Sequence, residues 1–230
     1  MNIPELVKTD DGSDTLYVRE LNEHYHSTFG AVQESKHIFI EAGLHKCKQE
    51  SINIFEVGFG TGLNAYLTAL ECTKTNQNVL YISIEMYPLP DEIWTSLNYT
   101  EFVPLGNPLL FKMIHQAPWN EIVKVTDQFS LLKLPVDLLR VDYSKLPLFD
   151  LIYFDAFSPE KQPELWDTSV FTQIASNCES KAILVTYCAK GVVRRSLIAA
   201  GFTVERIPGP PGKREILRGS FYQPSQLSDQ

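Results

Sequence analysis

Residues 56–62, with the sequence EVGFGTG, combine a carboxylate with three glycines at alternate positions. Glycines at a turn from a strand into a helix let the backbone approach a ligand and adopt dihedral angles closed to other residues. A dinucleotide fingerprint needs the order G-x-G-x-x-G, but Leu63 follows the third glycine here. The spacing disfavours a nicotinamide-dependent oxidoreductase. A tight strand-to-helix turn that binds no ligand is the simplest alternative.

Three more carboxylates follow predicted strands. Glu85 lies 27 residues after Gly58, where a carboxylate can accept hydrogen bonds from both hydroxyls of a ribose. Asp142 follows the third predicted strand and could receive the amino group of an adenine, or only cap a turn. Asp155 ends the run LIYFD at the carboxyl edge of the sheet. There it could orient an amine or take its proton, or it could cap a helix.

The apolar pattern predicts the elements that position these carboxylates. Five short apolar runs indicate buried strands, and residues 63–70 are apolar at helical spacing. Strands that alternate with helices predict an α/β doubly wound fold with a parallel sheet. Two later runs, 202–207 and 215–222, flank PGPPGKR and predict a closing antiparallel strand pair. The five runs are 52–57, 79–84, 134–143, 149–157 and 181–188.

We expect residues 1–230 to form a single domain. Residues 1–50 contain a predicted strand, DTLYVREL, and a predicted helix, QESKHIFIEAGL, which would cap the open edge of the sheet. Residues 51–222 would form the core. Within it, residues 88–122 contain five of the fourteen prolines and predict an irregular helical insertion. Residues 223–230 are expected to be a flexible tail.

The composition excludes several classes of protein. An apolar fraction of 44% with 21% charged residues excludes disorder. No apolar window approaches the ~18 residues of a membrane span, and the start lacks a basic-then-apolar leader, so we expect a soluble cytoplasmic protein. The four cysteines form no C-x-x-C pair, and His24 and His26 lack a third ligand. We therefore expect reduced thiols and no metal.

The net charge of −8 argues against nucleic acid as a partner, but the charge is unevenly distributed. Residues 190–218 contain seven basic and two acidic residues, whereas residues 1–189 carry a net charge of −12. A basic C-terminal element on an acidic body is compatible with local phosphate binding. An ordinary solvated surface is the alternative.

Several strings in the chain resemble one family. FEVGFGTGLN, FDAFSPEKQPELW, VVRRSLIAAGF and PGKREILRG resemble the methyltransferase domain of the bifunctional tRNA 5-methylaminomethyl-2-thiouridine biosynthesis proteins. YHSTFGAVQESKHIFIEAGL is similar to the N-terminal segment of that domain. The resemblance implies a Rossmann-like class I fold that uses S-adenosylmethionine. It also implies methyl transfer to the amine of 5-aminomethyl-(2-thio)uridine at the wobble position, in the anticodon loop of a tRNA.

The resemblance also implies roles for particular residues. The family has acidic residues near the cofactor at the positions of Gln33 and Glu34. Gln33 is not acidic, so only Glu34 is assigned this role. Asp155 corresponds to the carboxylate at the reaction centre. Phe157, from its position after Asp155 and not from the resemblance, is a candidate to stack on the substrate base or to pack in the core. The implied cofactor contacts are Glu34, Glu56, Gly58, Phe59, Gly60, Gly62, Asn64, Glu85 and Asp142. The candidate RNA contacts, from the resemblance or from the basic charge of residues 190–218, are Arg194, Arg195, Lys213 and Arg214.

The flavin-dependent oxidase half of the family does not fit within 230 residues. We therefore expect separate enzymes to supply the aminomethyl group, and no flavin. Three rival functions stay open. An aminopropyltransferase or small-molecule amine methyltransferase would turn over without tRNA, an oxidoreductase would bind a nicotinamide cofactor, and a non-enzymatic RNA-binding or partner-binding relic would not bind S-adenosylmethionine.

Overall fold

The computed structural model describes residues 3–223, so residues 224–230 of the predicted tail lie outside the described residues. The N-terminal residues form a three-stranded antiparallel sheet of β1 (Glu5–Lys8), β2 (Asp14–Val18) and β3 (Glu23–His24). Helix α1 (Ala31–Ser35) follows and continues as a π-helical segment over Lys36–Glu41. The predicted strand and helix of this region are thus present, as β2 and as α1 with its continuation.

The remaining elements alternate along the chain. The strands are β4 (Ser51–Val57), β5 (Asn78–Ile84), β6 (Ile122–Lys124), β7 (Phe129–Leu134), β8 (Phe149–Phe154), β9 (Cys178–Thr186), β10 (Phe202–Pro208) and β11 (Glu215–Phe221). The helices are α2 (Leu63–Thr75), α3 (Asp91–Trp94), α4 (Tyr99–Phe102), α5 (Pro108–Gln116), α6 (Thr168–Ser176) and α7 (Gly191–Ala199).

These eight strands form one sheet in the order β10-β11-β9-β8-β4-β5-β7-β6. The five strands from β9 to β7 are parallel, so their carboxyl ends lie at one edge of the sheet. Strand β11 pairs antiparallel with β9 and with β10, and β6 pairs antiparallel with β7. The predicted parallel α/β sheet with a closing antiparallel pair is confirmed.

The predicted strand at 134–143 is wrong. The strand is β7, which ends at Leu134, and two 3₁₀ turns occupy Leu138–Arg140 and Tyr143–Lys145. The apolar residues after β7 are not in a strand, because the Asp137 side chain accepts a hydrogen bond from the Leu139 amide and starts the first turn. The carboxyl end of this strand therefore lies eight residues before Asp142.

Both faces of the sheet are buried. One face packs Ile54 and Tyr66 together with Leu16 and Phe39 of the N-terminal region, in a single apolar cluster. The other face packs residues of β4 and β8 against α6 and α7. Because the N-terminal region shares the core of the sheet, its position over the carboxyl edge is fixed by apolar packing.

The segment 88–122 contains α3, α4 and α5, and a buried lysine joins it to the sheet. Lys133 of β7 is 1% exposed, and its Nζ donates a 2.6 Å hydrogen bond to the carbonyl of His115. The same ammonium lies 5.2 Å from the ring centre of Phe59 and 4.8 Å from that of Trp119. It therefore links the insertion to the glycine loop through cation–π contacts.

All four cysteines are free and buried. Within residues 3–223, no helix is long and apolar enough to cross a membrane. In the same range, no group of three or more histidine, cysteine, aspartate or glutamate side chains could hold a metal ion.

Lys133 should leave a pH signature in stability. Burial lowers its pKa to about 8, whereas an unfolded lysine has a pKa of about 10.4. Between these values only the unfolded chain holds the proton, so Lys133 makes the free energy of unfolding rise with pH. Urea unfolding should therefore show the wild type gaining stability relative to Lys133→Met between about pH 8 and about pH 10. Lys112→Met, which removes an exposed ammonium of α5 with no ion pair among the described residues, is the control. A difference between wild type and Lys133→Met that stays constant over this pH range would contradict the prediction.

Candidate active site

A cavity of about 740 Å³ lies at the carboxyl edge of the sheet. The loop after β4, the residues that follow β5 and β8, and the segment Glu23–Thr28 of the N-terminal region line it. Open α/β sheets bind ligands at this edge, because the loops that leave neighbouring strands converge there. The cavity brings together nine residues predicted from the sequence: Glu34, Gly58, Phe59, Gly60, Asn64, Glu85, Asp155, Phe157 and Lys213.

Asp155 follows β8 and is partly exposed to the cavity. Asn64, in the first turn of α2, donates a 2.8 Å hydrogen bond from its Nδ2 to Asp155 Oδ2. Desolvation raises the pKa of Asp155 to about 7, while the Asn64 hydrogen bond and the charge of Lys213 oppose the rise. The carboxylate of Glu34 adds to it. A carboxyl group with this pKa can accept a proton near neutral pH and release it again.

Glu85 follows β5 and holds the glycine loop in place. Its Oε2 accepts a 3.0 Å hydrogen bond from the amide of Gly60, and its Oε1 accepts a 2.8 Å bond from the amide of Tyr87. Desolvation raises the pKa of Glu85, and these backbone hydrogen bonds oppose the rise. Because each carboxylate oxygen has a second lone pair, Glu85 can still accept hydroxyl hydrogen bonds from a ligand.

Gly60 sits beneath an aromatic ring of the N-terminal region. Its φ of +50° is left-handed, and a Cβ there would lie 3.0 Å from Cδ1 of Tyr25. The Tyr25 ring also meets the ring of Phe157 edge to face, with 5.1 Å between their centres. Tyr25 therefore spans from the glycine loop to the loop that follows Asp155.

Glu56 and Gly62 do not line the cavity, contrary to the sequence expectation. Glu56 is fully buried on the face of β4 that packs beneath α2, and its Oε2 accepts a 2.5 Å hydrogen bond from the Ser83 hydroxyl. Desolvation raises the pKa of Glu56 to about 8. Gly62 packs against His115, since a Cβ there would lie 2.7 Å from the His115 Nε2. Strand alternation explains the position of Glu56, because only the end of β4 opens into the cavity.

Asp142 also lies outside the cavity. Its side chain is half exposed, accepts a 2.6 Å hydrogen bond from Ser144 and pairs with Lys145 at 3.0 Å. Asp137, which follows the true end of β7, lines the cavity together with Leu138. Asp142 was expected at a strand end because the sequence prediction placed the third strand at 134–143, whereas β7 ends at Leu134. Asp137 is therefore the acidic side chain that this strand contributes to the site.

The predicted basic residues separate into two groups. Lys213 lies in the cavity wall, where its Nζ is 3.3 Å from Glu34 Oε1 and 5.0 Å from the ring centre of Tyr187. The other three lie outside the cavity, with Arg195 and Arg214 exposed and Arg194 half-buried. Lys213 therefore lies in the cavity wall, which differs from its expected place on the RNA side.

Sequence reasoning missed Tyr25, Tyr187 and Glu23 as site residues. The Glu23 carboxylate accepts hydrogen bonds from the Ser158 amide, at 3.2 Å, and hydroxyl, at 3.0 Å, which joins the N-terminal region to the loop after Asp155. The Tyr187 hydroxyl donates to the carbonyl of Ala156 at 2.9 Å. Tyr187 directly follows β9, so its place after a predicted strand was a usable signal. Glu23 gave none, because its partner is 135 residues away in sequence.

A family model described as S-adenosyl-L-methionine-dependent methyltransferase matches residues 108–222, half of the chain. The chain belongs to this family. The methyltransferase therefore uses S-adenosylmethionine, and the site fits that molecule. The glycine loop offers backbone, Glu85 offers a hydroxyl acceptor, and Ile84 and Leu138 offer an apolar wall for a flat ring.

Comparison with individual proteins gives more detail than the family model. The methyltransferase is 32% identical over 216 residues to the tRNA 5-methylaminomethyl-2-thiouridine biosynthesis bifunctional protein MnmC of Pseudomonas syringae pv. syringae, covering 88% of this chain and 32% of that protein. Identity to the protein of the same name in Cupriavidus metallidurans is 31%, covering 94% and 34%. The methyltransferase thus spans about a third of the length of these relatives. The crystal structure of MnmC2 from Aquifex aeolicus superimposes with a TM-score of 0.79 at 28% identity, covering 97% of this chain and 72% of that one.

Gly60→Val should abolish binding of S-adenosylmethionine. A branched side chain at φ +50° strains the loop and pushes into the ring of Tyr25, which displaces the amide that Glu85 holds. Titration calorimetry should show no binding heat. Gly201→Val is the matched control, because Gly201 also has a positive φ but lies beside Phe221, outside the cavity. Wild-type affinity in Gly60→Val, or an equal loss in Gly201→Val, would reject the loop as the cofactor site.

Proposed function

We propose that this enzyme methylates the amine of 5-aminomethyl-(2-thio)uridine at the wobble position of tRNA. One observation carries the proposal: Asp155, whose pKa is raised to about 7, lies in the same cavity as the glycine loop and two aromatic side chains. An amine acceptor needs a nearby group that can take its proton, and Asp155 is such a group. The names of the relatives from Pseudomonas syringae and Cupriavidus metallidurans agree with a modified uridine as substrate.

The residues of the chain divide the chemical work among them. S-adenosylmethionine supplies an electrophilic methyl group on a sulfonium when it is bound. Asp155 accepts the proton that the substrate nitrogen loses as its lone pair bonds to carbon. Asn64 keeps the Asp155 carboxylate turned towards the cavity through the 2.8 Å hydrogen bond. The remaining contribution of the protein is to hold the neutral amine at near-attack distance from the methyl group, because such an amine needs no further activation.

We propose that the cofactor is bound by the glycine loop at Gly58, Phe59 and Gly60, with Glu85 on the ribose. Asp137 replaces Asp142 as the candidate for the adenine amino group, since it lines the cavity. Glu34 also lines the cavity, and its Oε2 accepts a 2.7 Å hydrogen bond from the Ser27 amide. The carboxylate of Glu34 suits the cationic methionine end of the cofactor.

The base of the substrate requires an aromatic surface. Wobble bases lie in a single-stranded loop, where they can turn outwards and stack on aromatic side chains. Phe157 lines the cavity two residues after Asp155, and Tyr25 supports it edge to face. We propose that Phe157 stacks on the uracil ring. We propose that the enzyme acts on tRNA in the cytoplasm.

The direct test uses tRNA from cells that lack this enzyme. Incubation with the purified protein and S-adenosylmethionine, followed by mass spectrometry of the nucleosides, should convert 5-aminomethyl-(2-thio)uridine into its methylamino form. Asp155→Asn should bind S-adenosylmethionine normally in calorimetry and lower turnover by about 10²-fold to 10⁴-fold, because it removes the proton acceptor. Methylation of a free polyamine without tRNA would instead support a small-molecule amine methyltransferase, and full activity of Asp155→Asn would reject its role.

Arg214 tests the RNA surface separately from the cavity. Arg214→Glu should weaken tRNA binding and reduce the slope of log Kd against log salt by about one, since each phosphate contact releases counterions. The affinity for S-adenosylmethionine should not change. Lys112→Glu makes the same charge change on α5 at an exposed position outside the cavity and should leave tRNA binding near wild type. Equal effects of the two substitutions would indicate a non-specific charge effect.

A further inference from the structure

Phe29 is an exposed aromatic side chain that has no part in the proposed mechanism. It is 50% exposed, and it directly follows Thr28, which lines the cavity. Its ring packs on Gly212, since a Cβ at Gly212 would lie 2.6 Å from Cε2 of Phe29. Lys213, the next residue in the chain, also lines the cavity. Phe29 therefore lies at the rim of the cavity, where the N-terminal region meets the loop that joins β10 and β11.

Local hydrogen bonds hold the backbone that carries this ring. The Phe29 amide donates to the Ser27 hydroxyl at 3.2 Å, and the Asp10 amide donates to the Thr28 carbonyl at 2.8 Å. The contact with Gly212, whose φ is +83°, supports the ring from below. A side chain that is already held in place loses little conformational entropy when a ligand packs on it. The ring is therefore a prepared surface for a flat ligand.

The order of the strands places Phe29 on the substrate side of the cavity. The contacts proposed for the ribose and the adenine follow β5 and β7, and Asp155 follows β8. The loop that joins β10 and β11 lies beyond β8 and β9, because Leu217 of β11 pairs with Thr186 at the carboxyl end of β9. Asp155 thus lies between the proposed cofactor contacts and the loop on which Phe29 packs.

The charge beside Phe29 suits a phosphate backbone. Arg214 is exposed, and its side chain makes no ion pair or hydrogen bond with the part of the chain that the structure describes. Arg206, Lys213 and Arg218, the other cations of this strand pair and its loop, each pair with a carboxylate. An aromatic ring beside an unpaired cation is a combination that binds single-stranded nucleic acid, because the ring stacks on a base and the cation contacts the phosphates.

We propose that Phe29 stacks on a base adjacent to the wobble base of the tRNA. The inference rests on the proposed function, in which the wobble base enters the cavity and stacks on Phe157. The nucleotides on either side of that base stay outside the cavity, in a loop whose bases are unpaired and can turn onto protein side chains. Two aromatic side chains, one inside the cavity and one at its rim, then hold two neighbouring nucleotides.

A substitution that keeps the apolar contact but removes the flat ring tests the proposal. Phe29→Leu should raise the Kd for a synthetic anticodon stem-loop with uridine at the wobble position by about tenfold, and should leave the Kd for S-adenosylmethionine unchanged. Phe29→Trp keeps a flat ring, so it should bind the RNA as tightly as wild type, with quenching of the added tryptophan fluorescence.

Phe102→Leu is the matched control. Phe102 is 38% exposed, and its ring packs on Gly12, another glycine of positive φ, because a Cβ there would lie 2.5 Å from Cε1 of Phe102. It does not line the cavity. The control therefore makes the same change in a similar contact away from the site, and it should leave the affinity for the stem-loop unchanged.

Stem-loops that lack a single base identify the partner of Phe29. One RNA lacks the base on the 5′ side of the wobble uridine, and a second lacks the base on the 3′ side. One of the two should bind wild type more weakly than the intact RNA does, and on that RNA wild type and Phe29→Leu should have equal affinity. The other should keep the full difference between the two proteins.

The outcomes separate this inference from the proposed function. Equal affinity of wild type and Phe29→Leu for the intact stem-loop, an equal loss in Phe102→Leu, or a loss that neither base deletion removes would overturn the inference and leave the proposed function standing. The expected binding pattern in an enzyme that does not methylate tRNA would support the inference and reject the proposed function. A wild-type protein that binds no stem-loop would overturn both.

Discussion

Desolvation of carboxyl groups at the carboxyl edge of the sheet is the constraint on which the active site depends. Glu56, Glu85 and Asp155 come from the ends of three adjacent parallel strands, and withdrawal from water raises the pKa of each. Each accepts different hydrogen bonds: Glu85 from two backbone amides, Asp155 from an amide side chain, and Glu56 from a hydroxyl. One sheet edge thereby provides three carboxyl groups in three different environments.

The N-terminal region completes the site rather than only covering it. Tyr25 packs on Gly60 and Phe157, Glu23 is bonded to Ser158, and Glu34 pairs with Lys213 of the loop between β10 and β11. These contacts join the two ends of the described chain across the carboxyl edge. Apolar side chains of the N-terminal region share a core cluster with the sheet, and this packing holds the contacts in place.

Much of the fold could be predicted because its signals are local. The glycine loop, the apolar strands β4, β5 and β8, and the closing strand pair each follow from a short stretch of sequence. The prediction failed at β7. This strand alternates buried and half-buried residues and contains the buried Lys133, so it has no continuous apolar run. The apolar residues that follow it are in 3₁₀ turns but were predicted as a strand. The same wrong strand end led to the choice of Asp142 in place of Asp137, which lines the cavity.

The sequence by itself determined the class of fold, the loop after β4, and Glu85 and Asp155 as carboxylates at strand ends, since apolar runs mark where strands end and parallel strands end at one edge of the sheet. The tertiary structure alone decided which of these side chains share a cavity. It buries the side chain of Glu56 outside the cavity, pairs Lys213 with Glu34, and packs Tyr25 on Gly60. Such contacts join residues far apart in the chain, and desolvation depends on every element packed around a group, so neither is written in local sequence.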